Sequence, residues 1–277
     1  MALNLMYITN RPEIAQIAEA AGVNRIFVDM EYIGKMERQG GMDTVQSRHT
    51  LEDVKSISEA INKVELLVRI NPIHEAAADY MSSKEEIDGA IANGAQILML
   101  PYFKTVDEVK TFIELVDGRA KTMPLVETPE AVECIDEILQ LDIDEIFIGL
   151  NDLSLGYGMK FMFELLVDGT VEDLCHKFRR KGIPYGFGGI ASLGKGKLPA
   201  EEVIIEHYRL GSTYAILSRS FCNVNKIEHM GIISTTFVNG MREIREYEKK
   251  VAVHRDFFAN NIEEVKQGVQ AVLEDML

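Results

Sequence analysis

Met123-Pro-Leu-Val-Glu-Thr-Pro129 and Glu145-Ile-Phe-Ile-Gly-Leu-Asn-Asp152 are two short apolar runs, each stopping at a carboxylate where a helix should begin. Thr128 can accept from the orphan backbone N–H groups of that helix, and Pro129 occupies its first position, where a missing N–H costs nothing. Run, amphipathic crossover and run make one βαβ unit. The unit repeats outward in both directions. Runs at residues 3–8, 25–29, 65–70 and 96–100 precede the pair at 123–126 and 145–149, and runs at 184–187 and 213–217 follow it. Helix starts with an accepting side chain and an acid three residues on recur at Thr50-Leu-Glu-Asp53, Ser83-Lys-Glu-Glu86 and Thr105-Val-Asp-Glu108. Gly22, Gly94, Gly118 and Gly182 stand where helices should end in a left-handed residue.

Eight runs within roughly 220 residues, with no linker between them, predict an α/β fold: an eight-stranded parallel β/α (TIM) barrel, one domain over residues 1–277. An open doubly wound sheet is the alternative. The first run leads into Asn10-Arg-Pro12 without the glycine-rich turn of a dinucleotide-binding sheet, which favours the barrel. Residues 226–277 read as two or three helices, one more than closure needs, and predict an arm packed on another subunit. Net charge is −15, from 44 Asp and Glu against 29 Lys and Arg, so nucleic acid and anionic membrane are poor partners. Three scattered cysteines fit neither a disulfide framework nor a clustered zinc site, and point to a reducing cytoplasm. No basic leader and no apolar run of membrane-spanning length is visible.

Barrel enzymes carry their sites where the strands stop, and here the stops are polar. They are Asp29-Met-Glu31-Tyr32, Arg69-Ile-Asn71, Glu127-Thr128, Asn151-Asp152 and Ser218-Arg219. Glu127 and Asp152, on neighbouring strands about 4.8 Å apart, can share one hard divalent cation. Without it one of them would be forced to hold a proton. Such an ion, Mg²⁺ or Mn²⁺ with Co²⁺ or Zn²⁺ as alternatives, keeps positions open to chelate a 2-oxo acid and polarise its carbonyl. Arg69 would add positive charge at the enolate oxygen, or else form a structural pair with Glu31 or Glu65. The segment 185–197, rich in glycine and ending Lys195-Gly-Lys197, is a weaker candidate for anion binding. Of the six histidines only His49 falls on the catalytic rim; His207 reads as structural.

Leu66-Leu-Val-Arg69-Ile-Asn, Ile97-Leu-Met-Leu-Pro101, Leu125-Val-Glu127-Thr-Pro and Phe147-Ile-Gly149-Leu-Asn-Asp152-Leu-Ser154 together resemble the HpcH/HpaI aldolase and citrate lyase family. The resemblance implies a metal-dependent barrel that binds pyruvate and forms its enolate. It makes Glu127 and Asp152 the metal ligands, Arg69 the enolate-stabilising cation, and the backbone at Gly149 and Asn151 the cradle for the pyruvate carboxylate. An aldehyde would be the second substrate, and a homo-oligomer, a dimer or a trimer of dimers, is expected. One departure stands out. The family's aldolases carry Asp-x-Glu-His, whose histidine and aspartate perform the acid–base step, whereas this chain has Asp29-Met-Glu31-Tyr32. Asp29 and Tyr32 are then expected at the site, with Tyr32 contacting substrate, but a phenol is a poor base at neutral pH. The proton falls to His49, to solvent at the metal, or the reaction differs. Acyl-thioester cleavage and simple binding of a 2-oxo or sugar acid are the competing activities.

Overall fold

The computed structural model describes residues 2–35, 47–227, 229–254 and 256–276. The polar, glycine-bounded segment 34–41 follows the second apolar run and would from its sequence sit beside the site, but most of it lies outside the described residues. The strands are β1 Asn4–Ile8, β2 Arg25–Asp29, β3 Glu65–Arg69, β4 Ile97–Leu100, β5 Lys121–Val126, β6 Ile146–Ile148, β7 Tyr185–Ile190 and β8 Tyr214–Leu217. Each pairs in parallel with its neighbour in chain order, and β8 returns to β1, Asn4 beside Tyr214 and Tyr7 beside Leu217, so the sheet closes into the predicted barrel. Around it run α1 Pro12–Ala20, α2 Leu51–Ala60, α3 Ser83–Ala92, α4 Val106–Val116, α5 Pro129–Glu133, α6 Ile135–Ile138, α7 Leu150–Gly156, α8 Glu164–Val167, α9 Thr170–Lys181 and α10 Ala200–Leu210. They are followed by α11 Met230–Val253 and α12 Asp256–Glu274.

The predicted caps form at Thr50 with Asp53 and at Thr105 with Glu108, each side chain serving the other's backbone N–H. Before α3 the box sits one residue earlier than expected, Ser82 with Glu85. Tandem serines followed by tandem acids permit either register. The second acid, Glu86, is instead buried against Asn71, whose Nδ2 donates to Glu86 Oε1 at 2.8 Å. Gly22, Gly94, Gly118 and Gly182 all take positive φ at the turns into the next strand.

Strand alternation divides the core in two. Met6, Phe27, Leu67, Ile97, Met99, Met123, Leu125, Phe147 and Tyr214 fill the barrel interior, while a larger apolar layer separates strands from helices. The same period-2 arithmetic places Arg25, Glu65 and Glu145 inward at the N-terminal end, two residues below Phe27, Leu67 and Phe147. There Arg25 donates to both oxygens of Glu145 (2.6 and 2.7 Å) and to Glu65 (2.9 Å), a buried polar plug under the apolar middle. Two residues above the middle layer the alternation brings Asp29, Arg69, Glu127 and Gly149 to the opposite mouth.

The C-terminal helices, expected from sequence as an arm packed on another subunit, also cover the barrel of their own chain. α12 packs on α8 and α10 of its own chain, burying Val265 and Val269, and Asn261 donates to Glu206 Oε1 at 2.8 Å. α11 lies on α1 and α10, and its Glu248 accepts from the Leu3 N–H at 2.7 Å, tying the helix to the start of β1. Among the described residues no helix is long and apolar enough to cross a membrane.

Candidate active site

The strand ends surround a cavity of about 430 Å³ at the C-terminal mouth of the barrel. Asp29, His49, Arg69, Glu127, Gly149, Asn151 and Asp152, all singled out from sequence, line it together. Tyr32 does not. Its backbone N–H and that of Ile33 both donate to Asn71 Oδ1 (2.9 and 3.0 Å), the chain turns away from the cavity, and the ring is 44% exposed. Its pKa is raised, first by burial and then by Glu86 and Asp79. Tyr32, expected to contact substrate, thus stands outside the cavity lining.

β2 and β3 run in register with Asp29 beside Arg69. Arg69 Nε and Nη2 donate to the two oxygens of Asp29, each at 2.8 Å, and Nη1 stands 3.3 Å from Glu31 Oε2. Glu65, the other sequence candidate for pairing with Arg69, belongs to the plug at the far end. Burial alone would raise the Asp29 pKa, but Arg69 and then Lys35 hold its carboxyl below the ordinary range.

Glu127 and Gly149 follow the paired residues Val126 and Ile148 on β5 and β6. The Gly149 backbone lies against the Glu127 carboxylate so closely that an added Cβ would stand 2.7 Å from Oε2 and 2.8 Å from the Glu127 Cβ, so only glycine fits. Glu127 Oε1 accepts from the Tyr102 N–H at 2.9 Å. Asp152, in the first turn of α7, is buried and accepts from Asn151 Nδ2 at 3.1 Å. Burial, then Glu31 and more weakly Asp152, push the Glu127 pKa far up, with Arg69 opposing. Such a carboxylate requires either a proton or a cation. Among the described residues no three of the His, Cys, Asp and Glu side chains already form a coordination set, so a metal would rest on two carboxylates with other positions left to substrate and solvent.

His49 enters from the start of α2 and stands against Asp29. Its Nδ1 accepts from the Asp29 N–H at 3.0 Å, and burial lowers its pKa. The ring is thus neutral with its proton assigned to Nε2, a donor rather than a base. His207 is fully buried behind β7, hydrogen-bonded to Ser212 and stacked on Phe187, with its pKa lowered by burial to about 3. It is structural, as read.

Among the lining residues without a sequence signal are Lys35 and Cys222. Lys35 reaches in from the turn after β2, 3.1 Å from Asp29 Oδ2 and 3.3 Å from Glu31 Oε2. Cys222, beyond β8, also lines the wall, but burial raises its thiol pKa and disfavours a thiolate nucleophile. The glycine-rich segment resolves into β7 and a loop. Gly188 and Gly189 reach the cavity, whereas Lys195 and Lys197 are exposed away from it and the Gly194 N–H is taken by Glu201 at 2.8 Å.

Comparison with known proteins agrees with the barrel fold. No curated protein matches the chain. Among solved structures, the HpcH/HpaI aldolase from Desulfitobacterium hafniense DCB-2 superposes with a TM-score of 0.58 at 18% identity, covering 88% of this chain and 93% of that one. An HpcH/HpaI aldolase/citrate lyase family protein from Burkholderia cenocepacia J2315 superposes with a TM-score of 0.60 at 15% identity, covering 88% and 95%. At such identities the likeness shows the fold alone. The sequence model described as HpcH/HpaI aldolase/citrate lyase matches residues 4–164, which include Asp29, Arg69, Glu127 and Asp152, and the chain therefore belongs to this family of lyases.

Proposed function

We propose that the protein is a divalent-metal-dependent carbon–carbon lyase, an aldolase that forms or consumes the enolate of pyruvate or a similar 2-oxo acid and joins it to, or releases it from, a small aldehyde. The observation that carries this reading is the state of Glu127: buried, crowded by Glu31 and Asp152, and strongly disfavoured as a lone anion. Asp29, Glu31, Glu127 and Asp152 cluster at this end of the barrel, with Arg69 and Lys35 paired to Asp29 and Glu31, and a divalent cation beside Glu127 would relieve the repulsion it meets from Glu31 and Asp152. The donors are oxygens, which favours Mg²⁺ or Mn²⁺ over softer ions. Bound there, such a cation supplies the charge that chelates a 2-oxo acid and stabilises its enolate.

The chain's own groups supply the rest. Glu127 and Asp152 hold the cation, and the backbone at Gly149 and Asn151 serves the substrate carboxylate. Arg69, fixed by two bonds to Asp29, presents a permanent positive charge where the enolate oxygen becomes negative. His49 offers Nε2–H as a hydrogen-bond donor, and the proton itself is carried by solvent in the cavity. The tyrosine that would have motivated a non-catalytic binding barrel stands outside the cavity, and no feature favours a thioester substrate. Incubation with pyruvate, Mg²⁺ or Mn²⁺ and a panel of short aldehydes should yield adducts heavier than pyruvate by one aldehyde. Adducts appearing only with acyl thioesters would move the protein to the other branch of the family.

These roles make a specific expectation for the two residues in question. Tyr32→Phe should leave turnover within about threefold of the parent. His49→Gln keeps both an acceptor and a donor, so it should lose far less than the ~10²–10⁴-fold that removing a proton carrier costs. Aldol turnover of both variants across pH is the check. Collapse of Tyr32→Phe with metal and pyruvate binding intact would return the proton to the phenol.

A further inference from the structure

Asn71 stands two residues beyond Arg69 on the segment that leaves β3, and it is buried. Its Oδ1 accepts from the backbone N–H groups of Tyr32 and Ile33 at 2.9 and 3.0 Å, while its Nδ2 donates to Glu86 Oε1 at 2.8 Å and to the Met30 carbonyl at 3.3 Å. The Asn71 N–H also points at Glu86, 3.3 and 3.2 Å from its two oxygens. Donors on one side and acceptors on the other leave the amide a single orientation. Glu86, buried in the first turn of α3, thus grips Asn71, and Asn71 grips the backbone from Met30 to Ile33. Glu31 lies inside that span, with Oε2 3.3 Å from Arg69 Nη1. One segment therefore carries both the guanidinium and the amide that sets where Glu31 meets it.

We propose that Asn71 is a positioning residue: held by Glu86, it fixes the turn after β2 so that Glu31 meets Arg69 Nη1 while Asp29 holds Nε and Nη2, and the guanidinium faces the substrate in one orientation. The inference rests on the enolate-stabilising role given to Arg69 above. Misplacing such a group by about 1 Å costs on the order of 10²-fold in rate. Glu127 and Asp152 stand on other elements, after β5 and in α7, so substrate binding at the cation should change far less than turnover. A residue that only braced the fold would, when altered, lower the melting temperature without slowing the folded enzyme.

The test is the rate of pyruvate methyl-proton exchange in deuterated water with Mg²⁺, followed against pyruvate concentration well below the melting temperature. The proteins are wild type, Asn71→Asp, Asn71→Ser and the double variant Asn71→Asp with Glu86→Gln. Asn71→Asp still accepts from Tyr32 and Ile33 but sets a carboxylate against Glu86, where like charges repel. Adding Glu86→Gln restores a donor to that contact, with amide and carboxylate exchanged. The expected result is kcat at least tenfold lower in Asn71→Asp and Asn71→Ser with KM within about threefold, and kcat of the double variant recovered to within about threefold of wild type. Asn71→Ser buries no charge and decides the matter if Asn71→Asp does not fold. Wild-type kcat in either folded single variant, or a double variant no faster than the single ones, overturns the proposal while leaving the metal reading intact. Absence of metal-dependent exchange by wild type itself overturns both.

Discussion

Glu127→Gln and Asp152→Asn should each lower Mg²⁺ or Mn²⁺ affinity by at least an order of magnitude, a loss of roughly 1.4 kcal/mol or more. Each replacement keeps the shape of the side chain and removes one of the two anionic donors, so calorimetry reads the ligand role directly. Glu127→Gln should have a second, opposite consequence. Burial and the neighbouring anions raise the Glu127 pKa in the folded protein, so ionising it opposes folding, and stability falls as pH rises from the unfolded pKa through the folded one. The amide removes that liability. In chelator at pH 8 the variant should melt about 2–4 °C higher than wild type, the shift that ~1 kcal/mol brings in a large domain. The same raised pKa makes protons compete with the cation, so wild-type metal affinity should climb with pH and level off only once Glu127 is ionised in the free protein. Unchanged affinity in both variants would remove the metal from these residues.

Arg69→Lys should reduce turnover ~10²–10³-fold while changing substrate binding by less than about tenfold. Lysine keeps a charge but not the planar fork with which Arg69 grips both oxygens of Asp29, so the cation is no longer fixed where negative charge develops. If the guanidinium served only the Asp29 pair, turnover and binding would fall together and thermal stability would account for both. A steady-state split of kcat from KM, beside melting curves, separates these outcomes. Normal turnover would make Arg69 structural.

The barrel could be read from sequence because several of its strands and helices end with their own punctuation. Thr128-Pro129 and the boxes at Thr50 and Thr105 start helices, and Gly22, Gly94, Gly118 and Gly182 end them, so local chemistry and global alternation agree. The centre was legible for the same reason: Asp29, Arg69 and Glu127 each occupy the next inward position above an interior apolar residue. What could not be read depends on contacts between distant segments. Asn71 draws the backbone after Glu31 toward Glu86, which turns Tyr32 outward, and nothing near Tyr32 in sequence signals that clamp. His49 is brought to Asp29 from beyond a long insertion, a juxtaposition the barrel rim permits but no spacing rule demands. Lys35 lay in a polar stretch that reads as surface, and its burial follows only from the two carboxylates it meets. The C-terminal helices could be counted from sequence but not placed, because helix count alone does not say which part of the barrel an apolar face covers.

The central claim, that a divalent cation held by Glu127 and Asp152 enolises a 2-oxo acid, is tested most directly by proton NMR of pyruvate in deuterated water with purified protein and Mg²⁺ or Mn²⁺. The methyl signal should decay by exchange with wild type, stop on addition of chelator, resume when metal is restored, and be absent with Glu127→Gln. A methyl signal that persists with metal-loaded wild type, or that decays equally in the presence of chelator, would contradict the account.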